Sequence, residues 1–189
     1  NEACDDGNNN PFDSCDNACQ PNSVQDLAIG ETHLCGLCRD GGVCCQGSND
    51  QGQLGRGHRQ PSAGMESVLG LQHIVEVVSG SSHTCARTRV GHVACWGAGN
   101  WGQLGGGSLQ SSPTPHWVRK AGGAALAGAI RVFAGNHNTC SLHQNGDVYC
   151  WGYNFYSNAG TTTNTADILP TKVDKFPKAV SMGVGSRNT

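Results

Sequence analysis

Short apolar runs alternate with glycine-rich polar stretches along most of the chain. Four such runs stand just before a glycine, at residues 24–29, 74–78, 130–134 and 179–184. No segment carries apolar residues at helical spacing over a useful length, so the pattern predicts short strands separated by turns. Residues 121–129, rich in small apolar side chains, are the exception, and either a short helix or a loop fits them.

The runs belong to an internal repeat. The glycines that follow them, Gly30, Gly80, Gly135 and Gly185, are separated by 50, 55 and 50 residues. A second motif, Cys95-Trp-Gly-Ala-Gly-Asn-Trp-Gly-Gln-Leu-Gly105, recurs with changes from Cys45 and in part from Cys150. The chain is therefore a repeat protein. We expect an N-terminal segment at 1–21 and, within 22–189, units at about 24–73, 74–129 and 130–178 with the start of a fourth at 179–189.

Two cysteines stand ten positions apart in each complete unit: Cys35 and Cys45, Cys85 and Cys95, and Cys140 and Cys150. If each pair lies directly opposite across a hairpin, the loop between the strands has three residues and ends in Gly41, Gly91 or Gly146. A three-residue hairpin loop needs a left-handed residue at its last position, which glycine supplies without steric cost. The spacing therefore predicts three cross-strand disulfides.

The first unit has two further cysteines, Cys38 and Cys44. In the predicted register they lie diagonally on the other face of the hairpin, so a bridge between them requires strand twist or local distortion. A zinc site formed by these two with Cys35 and Cys45 is the alternative, because Cys-x-x-Cys is a common half-site. The other units keep the outer pair without extra thiols, which favours an added disulfide.

The N-terminal segment has almost no apolar side chains and three cysteines, Cys4, Cys15 and Cys19. We expect disulfides to hold it, and its pattern resembles a cysteine-rich repeat of secreted myxobacterial proteins, which carries one more cysteine upstream. The oxygen-bearing residues around these cysteines allow a calcium site, but the full EF-hand pattern is absent and an Asn- and Asp-rich turn between disulfides, which we favour, explains the same residues. The candidate calcium ligands are Asp5, Asp6, Asn8, Asn10 and Asp13.

Composition and charge exclude several classes of function. Twelve Lys and Arg against 14 Asp and Glu give a formal net charge of −2, which argues against a nucleic-acid partner. The longest apolar stretch, at 121–130, is shorter than the roughly 20 residues of a membrane span. Eleven cysteines favour a disulfide-forming, extracellular compartment. The odd count and the absence of an initial Met lead us to expect a piece of a longer chain.

The repeated motifs resemble those of the regulator of chromosome condensation repeats. The resemblance covers residues 24–189 and is best in the second unit, while Gln46 replaces the repeat Trp and Asn138 and Asn188 replace the repeat His. It implies an all-β fold, a partial β-propeller of about three four-stranded antiparallel blades. Cysteines flanking the hairpin are typical of bacterial secreted versions. A ring of this family usually has seven blades. The remaining blades would come from sequence outside this chain or from other copies of it; alternatively, the blades form an open stack, as in a fibre.

Aromatic residues occupy variable loop positions of the second and third units, and we interpret them as candidate binding residues: Trp101, Tyr153, Phe155 and Tyr156. Packing beneath a neighbouring blade is the alternative. We interpret His33 and His83, one per repeat, as hydrogen-bonding struts, with Trp96 and Trp151 as structural anchors.

The leading hypothesis is a secreted or cell-surface, non-catalytic protein that recognises a protein or a glycan through its loops. A subunit of an extracellular fibre, binding copies of itself, is the alternative. No motif supports an enzyme or a cofactor, and paired cysteines argue against a nuclear exchange factor.

Overall fold

The computed structural model describes residues 25–38, 41–155, 166–174 and 178–185. They form three four-stranded antiparallel sheets, each a simple meander in chain order. The first sheet contains β1 Gln25–Ile29, β2 His33–Leu37, β3 Val43–Gly47 and β4 Ser62–Ser67. The second contains β5 Ile74–Ser79, β6 His83–Thr88, β7 Val93–Gly97 and β8 Ser112–Trp117. The third contains β9 Ala129–Ala134, β10 Asn138–His143, β11 Val148–Gly152 and β12 Asp167–Lys172. The predicted all-β class and the three blades are confirmed.

The register of the central hairpins agrees with the cysteine spacing. Cys35 lies opposite Cys45, Cys85 opposite Cys95 and Cys140 opposite Cys150. Each pair is joined by a disulfide with its Cα atoms 4.1 Å apart. The three predicted hairpin disulfides are therefore present, and every one of these six cysteines is buried.

The hairpin loops have the predicted geometry. Gly41, Gly91 and Gly146 all have φ near +80° (79°, 83° and 80°), and each N–H bonds to the carbonyl three residues earlier. The carbonyl of each glycine then accepts an N–H from the start of the next blade or unit: that of Ile74, Ala129 or Ala179. The tip of each hairpin is thus tied to the start of the following blade.

The extra pair in the first blade is also bridged. Cys38 and Cys44 form a disulfide with Cα atoms 5.9 Å apart, across the diagonal that the register predicted. Zinc coordination by the four thiolates is wrong, because all four sulfurs of this hairpin are used in disulfides.

The blades pack face to face, and each interface has its own apolar core. The first core contains Leu54 and Val68 of blade one with Val77 and Trp96 of blade two. The second repeats this arrangement between blades two and three, around Leu104 and Trp151. Both leucines are fully buried, so the Leu of each Gly-Gln-Leu-Gly motif fills a blade interface.

Strands β1, β5 and β9, the first strand of each blade, contact one another in sequence. A buried carboxylate links two of them. Glu76 on β5 accepts hydrogen bonds from Arg87 Nε at 2.6 Å, from Arg131 Nε at 3.0 Å and from the N–H of Val132 at 3.2 Å. Because Arg131 and Val132 belong to β9, this carboxylate fixes blade two against blade three.

The connection at 118–128 is a loop. Arg119 and Ala125 form an isolated antiparallel bridge, and the side chain of Leu126 is fully buried in the second core. The sequence left a short helix or a loop open for residues 121–129, and the loop is the one that forms. Among the described residues no helix is present, and so none there is long and apolar enough to cross a membrane.

The described part of the fourth unit, residues 179–185, lies against the third blade. Ala179, Met182 and Val184 pack on the core formed by Cys140, Leu142 and neighbouring residues. This stretch is not assigned to a strand. The residues that would supply its hairpin partner follow position 185, outside the described ranges.

Candidate functional site

The repeated side chains form the polar framework on which the candidate site is built. The backbone carbonyl of Gln53 accepts hydrogen bonds from Trp96 Nε1 at 2.8 Å and from Thr84 Oγ1 at 3.1 Å, both in the next blade. Gln103 repeats this arrangement with Trp151 Nε1 and Thr139 Oγ1, each at 2.9 Å. The repeat tryptophans are therefore anchors of the blade interface, as the sequence predicted.

The repeat histidines extend this framework. His33 Nε2 lies 2.9 Å from Thr84 Oγ1, and His83 Nε2 lies 2.9 Å from Thr139 Oγ1. Burial lowers the pKa of His33 to about 4 and that of His83 to about 3, so both rings are neutral at pH 7. Their position and partners confirm that they are struts between blades. Within the described ranges no group of three His, Cys, Asp or Glu side chains is arranged to hold a metal.

The candidate site is a group of aromatic rings at the boundary between blades two and three. Trp101 contacts Tyr153 edge to face, with ring centres 5.2 Å apart, and Phe155 in the same way at 5.9 Å. Tyr153 and Phe155 are 5.1 Å apart. His137 completes the group, at 6.2 Å from Trp101 and 6.4 Å from Tyr153. We call Trp101, His137, Tyr153 and Phe155 the aromatic cluster.

The cluster is only partly buried. Trp101 keeps 37% of its surface exposed and Phe155 keeps 40%, whereas Trp96 and Trp151 of the framework have none. Edge-to-face contacts fix the rings against one another while leaving apolar surface in the solvent. The arrangement presents a preorganised aromatic surface, the kind of surface that protein interfaces use as an anchor.

Backbone contacts in the loops hold the rings in place. The N–H of Trp101 bonds to Gln103 Oε1 at 2.9 Å, and the N–H of Tyr153 bonds to the carbonyl of His137 at 2.8 Å. Asn154, next to Tyr153, donates from Nδ2 to Asp167 Oδ2 at 3.1 Å and ties this loop to β12. Side chains that build the turns thus also position the exposed rings.

The aromatic contact is specific to this blade boundary. At the boundary between blades one and two, the residue aligned with Trp101 is Gln51. Its Oε1 accepts a hydrogen bond from Ser111 Oγ at 3.1 Å. The same place in the fold is polar at one boundary and aromatic at the next, so the rings are not a requirement of the repeat.

The structure brings together three of the four residues that the sequence singled out: Trp101, Tyr153 and Phe155. Tyr156 lies outside the described residues. His137 was missed, because it aligns with Thr32 and Ser82 and no aromatic pattern marks that position. Also outside the described residues are the N-terminal cysteines and the candidate calcium ligands: Cys4, Cys15, Cys19, Asp5, Asp6, Asn8, Asn10 and Asp13.

Comparison with protein families gives matches at three places in the chain. The description "Regulator of chromosome condensation (RCC1) repeat" matches residues 40–87, 74–103 and 129–158. These stretches of the chain are therefore similar to RCC1 repeats. These matches span the central hairpins of blades two and three and, in blade one, β3 and β4. No curated protein matches the chain.

Two solved structures of yeast RCC1 and one of a human protein share the fold. Yeast RCC1 (Prp20), in a crystal structure bound to Kap60, has 26% identity and a TM-score of 0.75, covering 88% of this chain and 41% of that one. A second structure, Prp20p from Saccharomyces cerevisiae, described with its binding properties to Gsp1p and histones, has 24% identity and a TM-score of 0.70, with 86% and 41% covered. Human WBSCR16 has 22% identity and a TM-score of 0.67, with 80% and 38% covered. The chain thus spans about two fifths of the length of these proteins.

Proposed function

We propose that this chain is a non-catalytic propeller segment that binds another protein outside the cell, and that the aromatic cluster is its binding surface. The observation that carries the proposal is the cluster itself. Four rings from two blades converge, and the outer two are more than one third exposed. Tyr and Trp at the centre of an interface commonly contribute most of its binding free energy.

The disulfides support an extracellular site of action. The described residues contain four bridges, and three of them recur at the same place in each blade. Cytosolic reductants keep such thiols reduced, whereas secreted proteins retain their bridges. Because these cysteines recur at equivalent positions in three blades, we assign their disulfides a structural role and not a redox reaction.

The similar yeast structures are also described with protein partners: Kap60 for one, and Gsp1p and histones for the other. In this chain His33 and His83, the histidines that recur at one repeat position, are buried and bonded to threonines. These contacts support a binding role over a catalytic one.

The proposal is tested by probing an array of extracellular proteins and glycans with the intact chain, the variant Trp101→Ala/Phe155→Ala, and the control Trp117→Ala. Trp117 is 40% exposed, as Phe155 is, but lies at the opposite end of the blades. We expect a protein ligand whose affinity falls about 30-fold in the double variant and is unchanged in the control.

Two results would contradict the proposal. Protein ligands that bind the double variant as well as the parent chain would show that the cluster is not the binding surface. Ligands found only among the glycans would show that the partner class is wrong. The unfolding midpoint of each variant is measured alongside, because packing beneath a neighbouring blade predicts a lower midpoint with unchanged binding.

A further inference from the structure

A cleft lies at the other end of the blades from the aromatic cluster, between blades one and two. Its volume is about 690 Å³, and it is open to solvent. One wall is the connection at 70–73, and the other is the hairpin tip at 88–92 with Trp117 from the fourth strand of blade two. Clefts that bind small molecules have volumes of about 300–1,000 Å³.

The connection between the two blades explains why this cleft is open. Six residues, 68–73, join blade one to blade two, whereas 118–128 join blade two to blade three. In the longer connection Leu126 is fully buried, and Lys120 Nζ lies 4.9 Å from the centre of the Tyr149 ring. In the shorter connection Leu71 is buried at the position aligned with Leu126. The five residues that the longer connection adds, Lys120 among them, have no counterpart there to place over the hairpin tip of blade two.

The walls combine apolar surface with hydrogen-bond donors. Trp117 is 40% exposed and Val90 is 70% exposed, and the ring of His92 contacts Trp117 edge to face at 6.0 Å. Arg89 also lines the cleft, and its guanidinium pairs with no carboxylate among the described residues. The described lining contains no Asp or Glu, so the cleft complements a negative charge.

One lining residue is held in an unfavourable backbone conformation. His73 has φ of +57°, in the left-handed region that side chains rarely adopt. The aligned position at the next blade boundary is Gly128, with φ of +78°. Glycine therefore meets the backbone requirement of this position, and the imidazole of His73 is an addition that faces the cleft.

We infer that this cleft binds a small organic anion with an aromatic ring. The ring packs on Trp117 and Val90, and the anionic group accepts hydrogen bonds from Arg89, with His73 and His92 beside it. The inference is independent of the proposed function, because it concerns another surface and another class of ligand.

The test is isothermal titration of the full chain with three probes: 1-naphthylacetate, the neutral 1-naphthylmethanol, and acetate. We expect naphthylacetate to bind one per chain and about tenfold more tightly than the alcohol, since a charge-assisted hydrogen bond gives at least that ratio. Acetate without the ring should give no measurable binding. Equal affinity for naphthylacetate and the alcohol, or no binding of either, would overturn the inference.

Variants locate the site. Arg89→Gln should abolish the preference for the anion, while the matched control Arg59→Gln, an exposed arginine near the aromatic end of blade one, should keep it. Trp117→Leu should weaken the binding of both naphthyl probes. Anion preference that survives Arg89→Gln, or affinities that do not change in Trp117→Leu, would place the binding elsewhere and overturn the inference. Both substituted side chains are exposed, so these variants keep the packing of the blades.

Discussion

The two buried histidines make the stability of the blades depend on pH. His33 and His83 each bond to a threonine of the next blade, and burial lowers their pKa values from 6.5 to about 4 and about 3. In the unfolded chain both rings titrate near 6.5. Between these values the unfolded chain binds more protons than the folded one, so acid favours unfolding.

The magnitude follows from the pKa values. At pH 7 the two histidines hardly lower the free energy of unfolding, and this free energy falls as the pH drops from 6.5 toward the folded-state pKa values. At pH 5 each histidine costs about 2 kcal/mol of the free energy of unfolding, since one pKa unit corresponds to about 1.4 kcal/mol. The two together remove about 4 kcal/mol, a large part of the 5–15 kcal/mol that is usual for a domain of roughly this size.

The assay is urea unfolding under non-reducing conditions at pH 7 and pH 5, followed by circular dichroism. The test variant is His33→Asn/His83→Asn, because the third unit itself has Asn138 at this position. The control is His58→Asn/His73→Asn, which replaces two exposed histidines.

We expect the parent chain and the control to lose about 4 kcal/mol more than the test variant between the two pH values. The test rests on this difference between chains. Titrating carboxylates affect all three chains alike, and loss of the histidine struts lowers the stability of the test variant at both pH values. An equal pH dependence in the test variant and the parent would refute the assignment of neutral, buried histidines.

Three further predictions concern the framework. Replacing Cys85 and Cys95 with alanine should lower the free energy of unfolding by about 3 kcal/mol, the chain-entropy value for a loop of this length, measured by urea unfolding. Trp151→Phe keeps most of the packing but removes the donor to the Gln103 carbonyl, which Thr139 still occupies. The free energy of unfolding should therefore fall by about 1 kcal/mol in Trp151→Phe, compared with about 3–5 kcal/mol in Trp151→Ala. Gly91→Ala should lower the thermal midpoint more than Gly122→Ala. Both glycines have positive φ, but a Cβ at Gly91 would lie 2.6 Å from the N atom of Ala129, whereas nothing lies within 4 Å at Gly122. Equal midpoints for these two variants would contradict the tight docking of the hairpin tip.

The hairpins were predictable because two local signals agree. Cysteines ten positions apart fix which residues face each other, and a glycine at the third loop position permits the left-handed turn. The structure shows both in all three blades, with Cys140 opposite Cys150 and φ of +80° at Gly146 as one example. Local geometry of this kind is determined by residues that are close together in the sequence.

Contacts between blades were harder to predict. The acceptor for Trp96 and Thr84 is a backbone carbonyl, that of Gln53, and a carbonyl gives no residue-type signal. Likewise, His137 meets Trp101 only because two blades stack, and the two positions occupy different parts of the repeat. The sequence marked the exposed aromatics by their departure from the repeat, but it contained no signal for their histidine neighbour.

The cleft between blades one and two was not predicted. Its opening depends on the difference between a connection of 68–73 and one of 118–128, which the sequence shows only as an unequal repeat length. Its chemistry depends on Arg89 and Trp117 facing the same space. Each of these residues, taken alone, has the appearance of an ordinary surface side chain.

The central claim is that the framework residues hold the blades and the aromatic cluster binds the partner. The most direct measurement is the affinity of a purified protein partner for Trp101→Ala/Phe155→Ala and for Trp151→Phe, with each variant fully folded. We predict a loss of about 30-fold for the first variant and no change for the second. Equal affinities for the two variants, or a loss only in Trp151→Phe, would contradict the account.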